Sequence, residues 1–252
     1  MFEPKTEFRY PRRRTIRFIA HMISVPLFGL LTRLEVKGGE NLPQKGPFMV
    51  VGNHFSFIDP AALVRIAQWP MEFVGGAEFP HAPGLVKFIP NIWGYYPLYR
   101  GTGSRYALKA AEAILAQNGI LGIFPEAGSW AEILRPARPG TAYLAARTGA
   151  PILPVGLSGF NDVIPLRLGK RANVKINIGK LIGPFSVTGK GRERRTQLDE
   201  IGAEIMKTIA DLLPPHLRGF YSDDPLVREA AKGAEIYPWA DKIEGDVEGE
   251  IH

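Results

Sequence analysis

Short runs rich in β-branched and aromatic residues alternate along this chain with segments of helical periodicity, and this alternation is the strongest constraint on the fold. It is typical of α/β proteins, in which helices connect the strands of a central sheet. We therefore predict a mixed central sheet flanked by helices. The predicted strands cover residues 34–37, 48–52, 71–75, 95–99, 120–124, 152–157 and 174–178. The predicted helices cover residues 60–68, 83–89, 103–117, 140–149 and 193–212.

The first 33 residues combine a basic start with an apolar run. Lys5, Arg9, Arg12, Arg13, Arg14 and Arg17 precede or begin an apolar stretch at 18–31 that contains Pro26 and Gly29. A membrane-spanning helix needs about 20 apolar residues, so this stretch is too short to span comfortably. We predict that residues 1–33 form a basic amphipathic segment at an anionic membrane surface. Two alternatives stay open: a signal peptide, although no small-residue cleavage pattern follows, and a helix packed in the core.

The remaining composition divides the chain and excludes several kinds of site. Residues 34–213 carry the α/β pattern, and residues 214–252 are predicted to be a polar, acidic C-terminal appendage. The chain has no Cys, which excludes disulfides and cysteine nucleophiles, and its five scattered His residues show no metal-ligand pairing. We therefore predict no metal. The basic run 190–195 is interrupted by Glu193 and lacks interleaved aromatic residues, so no nucleic-acid partner is predicted.

Residues 53–60, Asn-His-Phe-Ser-Phe-Ile-Asp-Pro, follow the strand predicted at 48–52. On one helix, His54 and Asp59 would be about 500° apart and would face different directions. Asp is favoured at a helix N-cap and Pro at the first helical position, so we predict that Asp59 caps a helix and that His54 lies on a loop that folds back over Asp59. A neutral imidazole can then remove a proton from a hydroxyl while the carboxylate orients it. The alternative is that Asp59 only caps the helix and His54 is unrelated to it.

Four blocks of the sequence, taken in order, resemble the glycerolipid acyltransferase family, to which the 1-acylglycerol-3-phosphate acyltransferases belong. The first is His54 followed by Asp59, which matches the family's histidine, four residues, aspartate signature. The second is residues 94–100, which end in Arg100 after a glycine and a hydrophobic stretch. Each block is a weak signal alone, but four in register over residues 35–185 are much stronger.

The third and fourth blocks lie further along the chain. Phe124-Pro125-Glu126-Ala127-Gly128-Ser129 stands where the family usually reads Phe-Pro-Glu-Gly-Thr-Arg-Ser. Residues 150–155 are similar to the family's last motif, and Arg138 precedes a glycine-led helix where the family has a lysine.

The resemblance implies transfer of a fatty acyl group from a thioester to a hydroxyl of a lysophospholipid or related glycerolipid, similar to 1-acylglycerol-3-phosphate. His54 would be the general base and Asp59 its orienting carboxylate. The donor, acyl-CoA or acyl carrier protein, would be a co-substrate, and no cofactor is expected. The partners would be a lysolipid acceptor, the acyl donor and an anionic membrane, at the cytoplasmic face of the cell membrane. The substrate-binding residues would be Asn53, Arg100, Glu126, Gly128 and Arg138.

The third block departs from the family where the family's arginine is expected to meet the acceptor's phosphate. Ser129 stands in its place and cannot supply the two-pronged hydrogen bonding of a guanidinium. Either another arginine replaces it or the acceptor has a different head group. Trp130 also replaces a serine, and its bulk could reshape the acceptor pocket. The candidate replacements are Arg100, Arg105, Arg135 and Arg138.

Two other functions stay open, the first of them because of this departure. The first is a membrane-surface protein that binds lipid without turnover. The second is an acyl-thioester hydrolase in which His54 activates water instead of a lipid hydroxyl.

Overall fold

The computed structural model describes residues 8–76, 92–98, 105–164, 170–236 and 238. Its centre is a seven-stranded sheet that contains both parallel and antiparallel pairs. The predicted mixed sheet is confirmed, with each strand within two residues of its predicted bounds; Tyr99 lies outside the described residues. The strands are Thr32–Lys37 (β1), Phe48–Gly52 (β2), Glu72–Gly76 (β3), Tyr95–Leu98 (β4), Ile120–Ile123 (β5), Ile152–Ser158 (β6) and Ala172–Ile178 (β7). Their order in the sheet is β1-β7-β6-β2-β5-β3-β4, and neighbours are parallel except for the β6–β7 pair.

Helices cover both faces of this sheet. Arg14–Leu31 (α1) and Asp59–Ile66 (α2) pack on one face. Arg105–Ala116 (α3), Pro139–Thr148 (α4) and Gly191–Asp211 (α5) pack on the other, and Pro225–Ala231 (α6) follows near the C-terminus. The structure confirms the helices predicted at 60–68, 140–149 and 193–212, and the one at 103–117 from residue 105 onward. The helix predicted at 83–89 lies outside the described residues.

Strand β2 lies in the middle of the sheet and is buried on both faces. All five of its residues are buried; Met49 and Val51 join the core on one side, and Phe48 and Val50 join it on the other. Successive side chains of a strand point to opposite faces, so a central strand must be apolar at every position. The loop that follows β2 therefore starts from a fixed point in the core.

Helix α1 has a charged residue on its inner side and apolar residues on its outer side. Its buried residues are Arg17, Ser24 and Phe28. By length and composition the helix could cross a membrane, a test that core helices and signal sequences also pass. The helix has 18 residues and is about 27 Å long at 1.5 Å per residue. It is longer than the apolar stretch at 18–31 because it begins at Arg14. The exposed large apolar side chains are Ile16, Phe18, Ile19, Met22, Ile23, Val25, Leu27 and Leu30.

A buried carboxylate fastens the start of α1 to the sheet. Glu72, 0% exposed on β3, accepts hydrogen bonds from Arg17 Nη1 at 2.5 Å and Nη2 at 2.7 Å. Arg12 Nε and Nη2 donate to the same carboxylate at 3.0 and 2.6 Å. Burial alone would raise the pKa of Glu72, but the hydrogen bonds and charges of the two arginines outweigh it and hold the pKa below 4.5. Two of the six basic residues expected to face a membrane are therefore engaged inside the protein.

Residues 214–236 continue the fold with short helical turns. The turns Pro215–Leu217 and Gly219–Tyr221 precede helix α6. The backbone N–H of Leu134 donates to the carbonyl of Leu217 at 2.9 Å, so the segment pairs with the α/β core. The predicted boundaries at residues 33 and 213 stay predictions.

Replacing Glu72 tests the anchoring of α1. We expect Glu72→Ala to lower the free energy of unfolding by about 3–5 kcal/mol, since it leaves the buried Arg17 guanidinium without its counter-charge. Urea denaturation followed by far-UV circular dichroism measures the change. The matched control is Glu35→Ala, because Glu35 pairs with Lys37 and Lys175 while 41% exposed. The control should unfold close to the wild-type midpoint, and an equally small change for Glu72→Ala would contradict the anchoring role.

Candidate active site

The ends of two neighbouring strands bring together the first and third blocks of the sequence. Strands β2 and β5 are parallel neighbours, with Val51 opposite Ile123, so the loops that follow them leave the same edge of the sheet. The first loop leads to α2 on one face, and the second leads to α4 on the opposite face. The loops therefore diverge at the carboxyl edge, where open α/β sheets bind their ligands.

The loop after β2 places His54 against Asp59, as the sequence predicts. His54 Nδ1 lies 3.1 Å from Asp59 Oδ2, and the imidazole stacks on the Phe124 ring with 4.3 Å between centroids. The same Oδ2 accepts the backbone N–H groups of Phe55 and Ser56, each at 2.7 Å. The imidazole is thus held from its edge and from its face, with Nδ1 directed at the carboxylate.

The prediction that Asp59 caps the helix is wrong, whereas the predicted Pro in the first turn is present. The N-cap position is Ile58, and no side chain caps the helix there. The Asp59 side chain bonds the preceding loop instead, because the backbone N–H groups of Phe55 and Ser56 both point at its Oδ2. Burial raises the pKa of Asp59 above its ordinary 3.8, although the hydrogen bond and charge of His54 oppose the rise.

A second buried carboxylate joins the two loops. Glu126 is 1% exposed, and its Oε1 accepts the backbone N–H of His54 at 2.7 Å. Its Oε2 accepts Arg135 Nε at 2.9 Å and the Arg135 backbone N–H at 3.1 Å. Burial raises the pKa of Glu126 to about 7, against the lowering effect of the Arg135 charge and of these hydrogen bonds. Glu126 thus contacts the backbone of the candidate base rather than its imidazole.

Asn53 is a link between strands. Its Nδ2 donates to the Leu157 carbonyl at 2.9 Å, and its Oδ1 accepts the Leu157 N–H at 2.7 Å. The residue is 0% exposed. These bonds fix the residue before His54 to β6, and contact of Asn53 with a substrate stays a prediction.

The other predicted substrate residues lie at different depths. Gly128 accepts a hydrogen bond from Arg135 Nη2 through its carbonyl oxygen. Arg138 is exposed just before α4, and its backbone N–H donates to the Pro125 carbonyl at 2.8 Å, next to Glu126. Arg100 lies outside the described residues. Within the part of the chain that the structure describes, no cluster of three or more His, Asp or Glu side chains could hold a metal ion.

Sequence reasoning misplaced Arg135 and missed its neighbours. It offered Arg135 as a replacement for the family's arginine at the acceptor's phosphate, whereas the residue is 1% exposed and paired with Glu126. One signal was available in the sequence: no arginine follows Glu126 within its own motif. A buried carboxylate requires a counter-charge, which points to a cation later in the chain. The ring contacts of Phe124 with His54 and of Trp130 with Arg135 gave no sequence signal.

This chain belongs to the Acyltransferase family, whose model matches residues 33–158, half of the chain. The resemblance noted on the four blocks is thereby confirmed, and the family supports an enzyme that transfers acyl groups. The matched residues run from β1 to the end of β6 and include both loops of the site.

Several curated relatives are named 1-acyl-sn-glycerol-3-phosphate acyltransferase. The Borreliella burgdorferi protein is 25% identical over 192 residues, covering 74% of this chain and 75% of its own. The chloroplastic protein of Brassica napus and the human alpha protein are each 27% identical, over 61% and 54% of this chain. The chain spans about half the length of these last two relatives, 45% and 48%.

The fold is shared with a solved structure, the PlsC lysophosphatidate acyltransferase of Thermotoga maritima. The two superpose with a TM-score of 0.53 and 22% sequence identity, over 75% of this chain and 78% of the other. This similarity establishes the α/β acyltransferase fold for the present chain.

Replacing Asp59 separates its charge from its hydrogen bonds. Because burial raises its pKa, the carboxylate costs the folded state free energy that grows as pH rises from the unfolded value through the folded one. We expect Asp59→Asn to be no less stable than wild type at pH 7 and less sensitive to pH, since the amide oxygen can still accept the loop N–H groups. Asp59→Ala removes the acceptor and should lose about 1–3 kcal/mol. Urea midpoints at pH 5 and 8 measure both, and equal losses in the two variants would contradict this account.

Proposed function

We propose that this protein transfers a fatty acyl group from the thioester of coenzyme A or acyl carrier protein to a hydroxyl of a lysophospholipid or related glycerolipid that is similar to 1-acylglycerol-3-phosphate. The carrying observation is the contact between His54 Nδ1 and Asp59 Oδ2 at 3.1 Å, at the carboxyl edge of the sheet. The His54 side chain is 17% exposed, so a substrate can reach it. The names of the relatives, 1-acyl-sn-glycerol-3-phosphate acyltransferase, support acyl transfer to an acceptor of this kind.

In the proposed mechanism, His54 acts as a general base. With Nδ1 directed at Asp59, Nε2 is the nitrogen that accepts the proton of the acceptor hydroxyl. The hydroxyl oxygen attacks the thioester carbonyl carbon, and Asp59 stabilises the imidazolium that forms. Collapse of the tetrahedral intermediate breaks the C–S bond, and the thiolate takes the proton back from the imidazolium. The ester, the free thiol and the neutral histidine balance the reaction, and no acyl-enzyme is required.

Arginines elsewhere in the chain would bind the acceptor's phosphate, because Ser129 stands where the family has its arginine. Arg135 is committed to Glu126, so it does not fill that role. The exposed Arg138 precedes the first turn of α4, where the helix dipole also favours an anion. Its closeness to Pro125 supports a contact with the head group, together with Arg100 from the second block.

The first test replaces the proposed base. We expect His54→Gln to lower kcat for acyl transfer by about 10²–10⁴-fold, the usual contribution of a general base. The partly exposed side chain should make the variant fold normally, which circular dichroism checks. Full acyl transfer by His54→Gln would exclude this mechanism.

The same assay discriminates the two alternative functions. Purified protein is incubated with an acyl-CoA and a panel of lysolipids with different head groups, and the products are read by mass spectrometry. Acylated lipid identifies a transferase and its acceptor. Free fatty acid without acylated lipid identifies a hydrolase, and no turnover with retained lipid binding leaves the binding protein.

We further propose that α1 lies against a membrane surface with its apolar side. The helix packs its charged Arg17 inward and exposes eight large apolar side chains, which is the reverse of a soluble surface helix. A contiguous apolar surface of this kind is typical of a membrane or protein contact. Arg9 and Arg14 are exposed at its N-terminal end and could meet anionic head groups.

Vesicle flotation tests this membrane contact. Phe18 and Met22 are 64% and 54% exposed and one helical turn apart. We expect Phe18→Gln combined with Met22→Gln to weaken vesicle binding at least roughly tenfold, because each large apolar side chain contributes about 1.5–3 kcal/mol when buried. The control is Leu226→Gln, a 79% exposed leucine on α6, which should bind as wild type does. Vesicles of neutral and of anionic lipid separate the apolar from the charge contribution, and unchanged binding by the double variant would contradict the proposal.

A further inference from the structure

We propose that Arg135 is a positioning residue of the active site, and that residues 214–236 hold it in place through Trp130 and Leu134. We call residues 214–236 the C-terminal brace. The inference rests on the proposed function, because it concerns the same histidine. The brace lies outside residues 33–158, which match the family model.

Arg135 contacts both loops of the site at once. Its Nε donates to Glu126 Oε2 at 2.9 Å, and its Nη2 donates to the carbonyl of His54 at 3.3 Å and to that of Gly128. Glu126 in turn accepts the His54 N–H at 2.7 Å. The Glu126–Arg135 ion pair therefore bonds both the N–H and the C=O of His54. These bonds fix the backbone position from which the imidazole extends.

The brace grips the residue next to Arg135. Leu134 N–H donates to the Leu217 carbonyl at 2.9 Å, and the Phe220 N–H donates to the Leu134 carbonyl at 3.4 Å. Gly219 lies between them with φ of 51°. A Cβ at Gly219 would overlap the carbonyl oxygen of Leu134, so the close approach requires glycine here.

Trp130 connects the far end of the brace to the guanidinium. Arg135 Cζ lies 3.8 Å from the centroid of the Trp130 ring, a cation–π contact. The indole Nε1 of Trp130 donates to the carbonyl of Ala234 at 2.8 Å. The Trp130 ring thus covers Arg135, and its hydrogen bond to Ala234 ties the ring to the brace. These contacts give a structural role to the tryptophan that replaces the family's serine.

Tyr221 of the brace lies close enough to Glu126 to sense its charge. Burial raises the pKa of Tyr221 to about 12, and the negative charge of Glu126 adds to the rise. The charge of Glu126 thus acts on a residue of the brace, which agrees with the hydrogen bonds that join the brace to Leu134 and Trp130.

A double-mutant cycle tests whether Arg135 acts through Glu126. Arg135→Met and Glu126→Gln should each lower kcat by up to about 10²-fold, the usual effect of displacing a catalytic group by about 1 Å, with KM values for both substrates within about twofold. Residues that act as one unit are not additive, so the double variant should be no slower than the slower single variant. Multiplied losses would overturn the coupling, and a change confined to the acceptor KM would make Arg135 a substrate-binding residue instead.

A pair of glycine variants tests the brace without altering any charge. Gly219→Ala and Gly149→Ala both place alanine at a positive φ, 51° and 65°, but a Cβ at Gly149 meets nothing within 4 Å. We expect faster amide hydrogen exchange at residues 53–56 and 124–138 in Gly219→Ala, accompanied by a lower kcat, and wild-type behaviour of these loops in Gly149→Ala. Equal exchange in the two variants would overturn the role of the brace.

Trp130→Phe provides a milder third variant in case the others fold poorly. It keeps a ring over Arg135 but removes the hydrogen bond to Ala234, so kcat should fall less than in Trp130→Ala. Equal kcat in Trp130→Ala and wild type would overturn the role of Trp130. If wild-type protein acylates no lysolipid, the proposed function fails, and the exchange comparison still decides whether the brace holds the loops.

Discussion

The buried carboxylate of Glu126 is the interaction on which the rest of the site depends. It accepts one hydrogen bond from the backbone of His54 and two from Arg135, and so joins the loop after β2 to the loop after β5. His54 and Glu126 are 72 residues apart in the chain. A charged group at this depth is costly to desolvate, and it is tolerated because a cation and backbone N–H groups surround it. The loops are therefore held as one unit rather than as two independent turns.

A second buried ion pair fastens the N-terminal helix to the sheet in a similar way. Glu72 engages Arg12 and Arg17 and thereby fixes the start of α1 against β3. Buried ion pairs contribute little net stability compared with apolar packing, but an unmatched partner is strongly unfavourable, so each charge requires one arrangement. In α1 that requirement holds the arginine inward. The apolar side of the helix is consequently turned outward, where a membrane surface can meet it.

The departure from the family's third motif has a structural counterpart. Where the family places an arginine three residues after the glutamate, this chain has Ser129, and the cation that meets Glu126 comes from Arg135. Arg135 is covered by Trp130 and flanked by Leu134, both of which bond to the C-terminal residues. The arginine missing from the motif, the tryptophan in place of serine and the C-terminal brace thus belong to one connected set of contacts.

Much of the fold could be predicted from local patterns. The continuous apolar run of β2 and the Asp-Pro pair at the start of α2 predict their elements because strand burial and helix initiation are short-range effects. Asp59 was expected to cap its helix, but its neighbours in space turned out to be loop N–H groups. The direction of a side chain depends on what folds against it, and spacing does not contain that information.

The sequence by itself determined the alternation of strands and helices and the apolar centre of the sheet, and it favoured a contact between His54 and Asp59 across five residues. Only the tertiary structure decided that Glu126 bonds the backbone of His54 and pairs with Arg135. It also decided that residues 214–236 bond to Leu134 and Trp130. The physical reason is that the first set depends on periodicity and local backbone preference, which neighbouring residues express. The second set depends on which buried charges and polar groups find partners, and those partners are brought together only when distant strands pair.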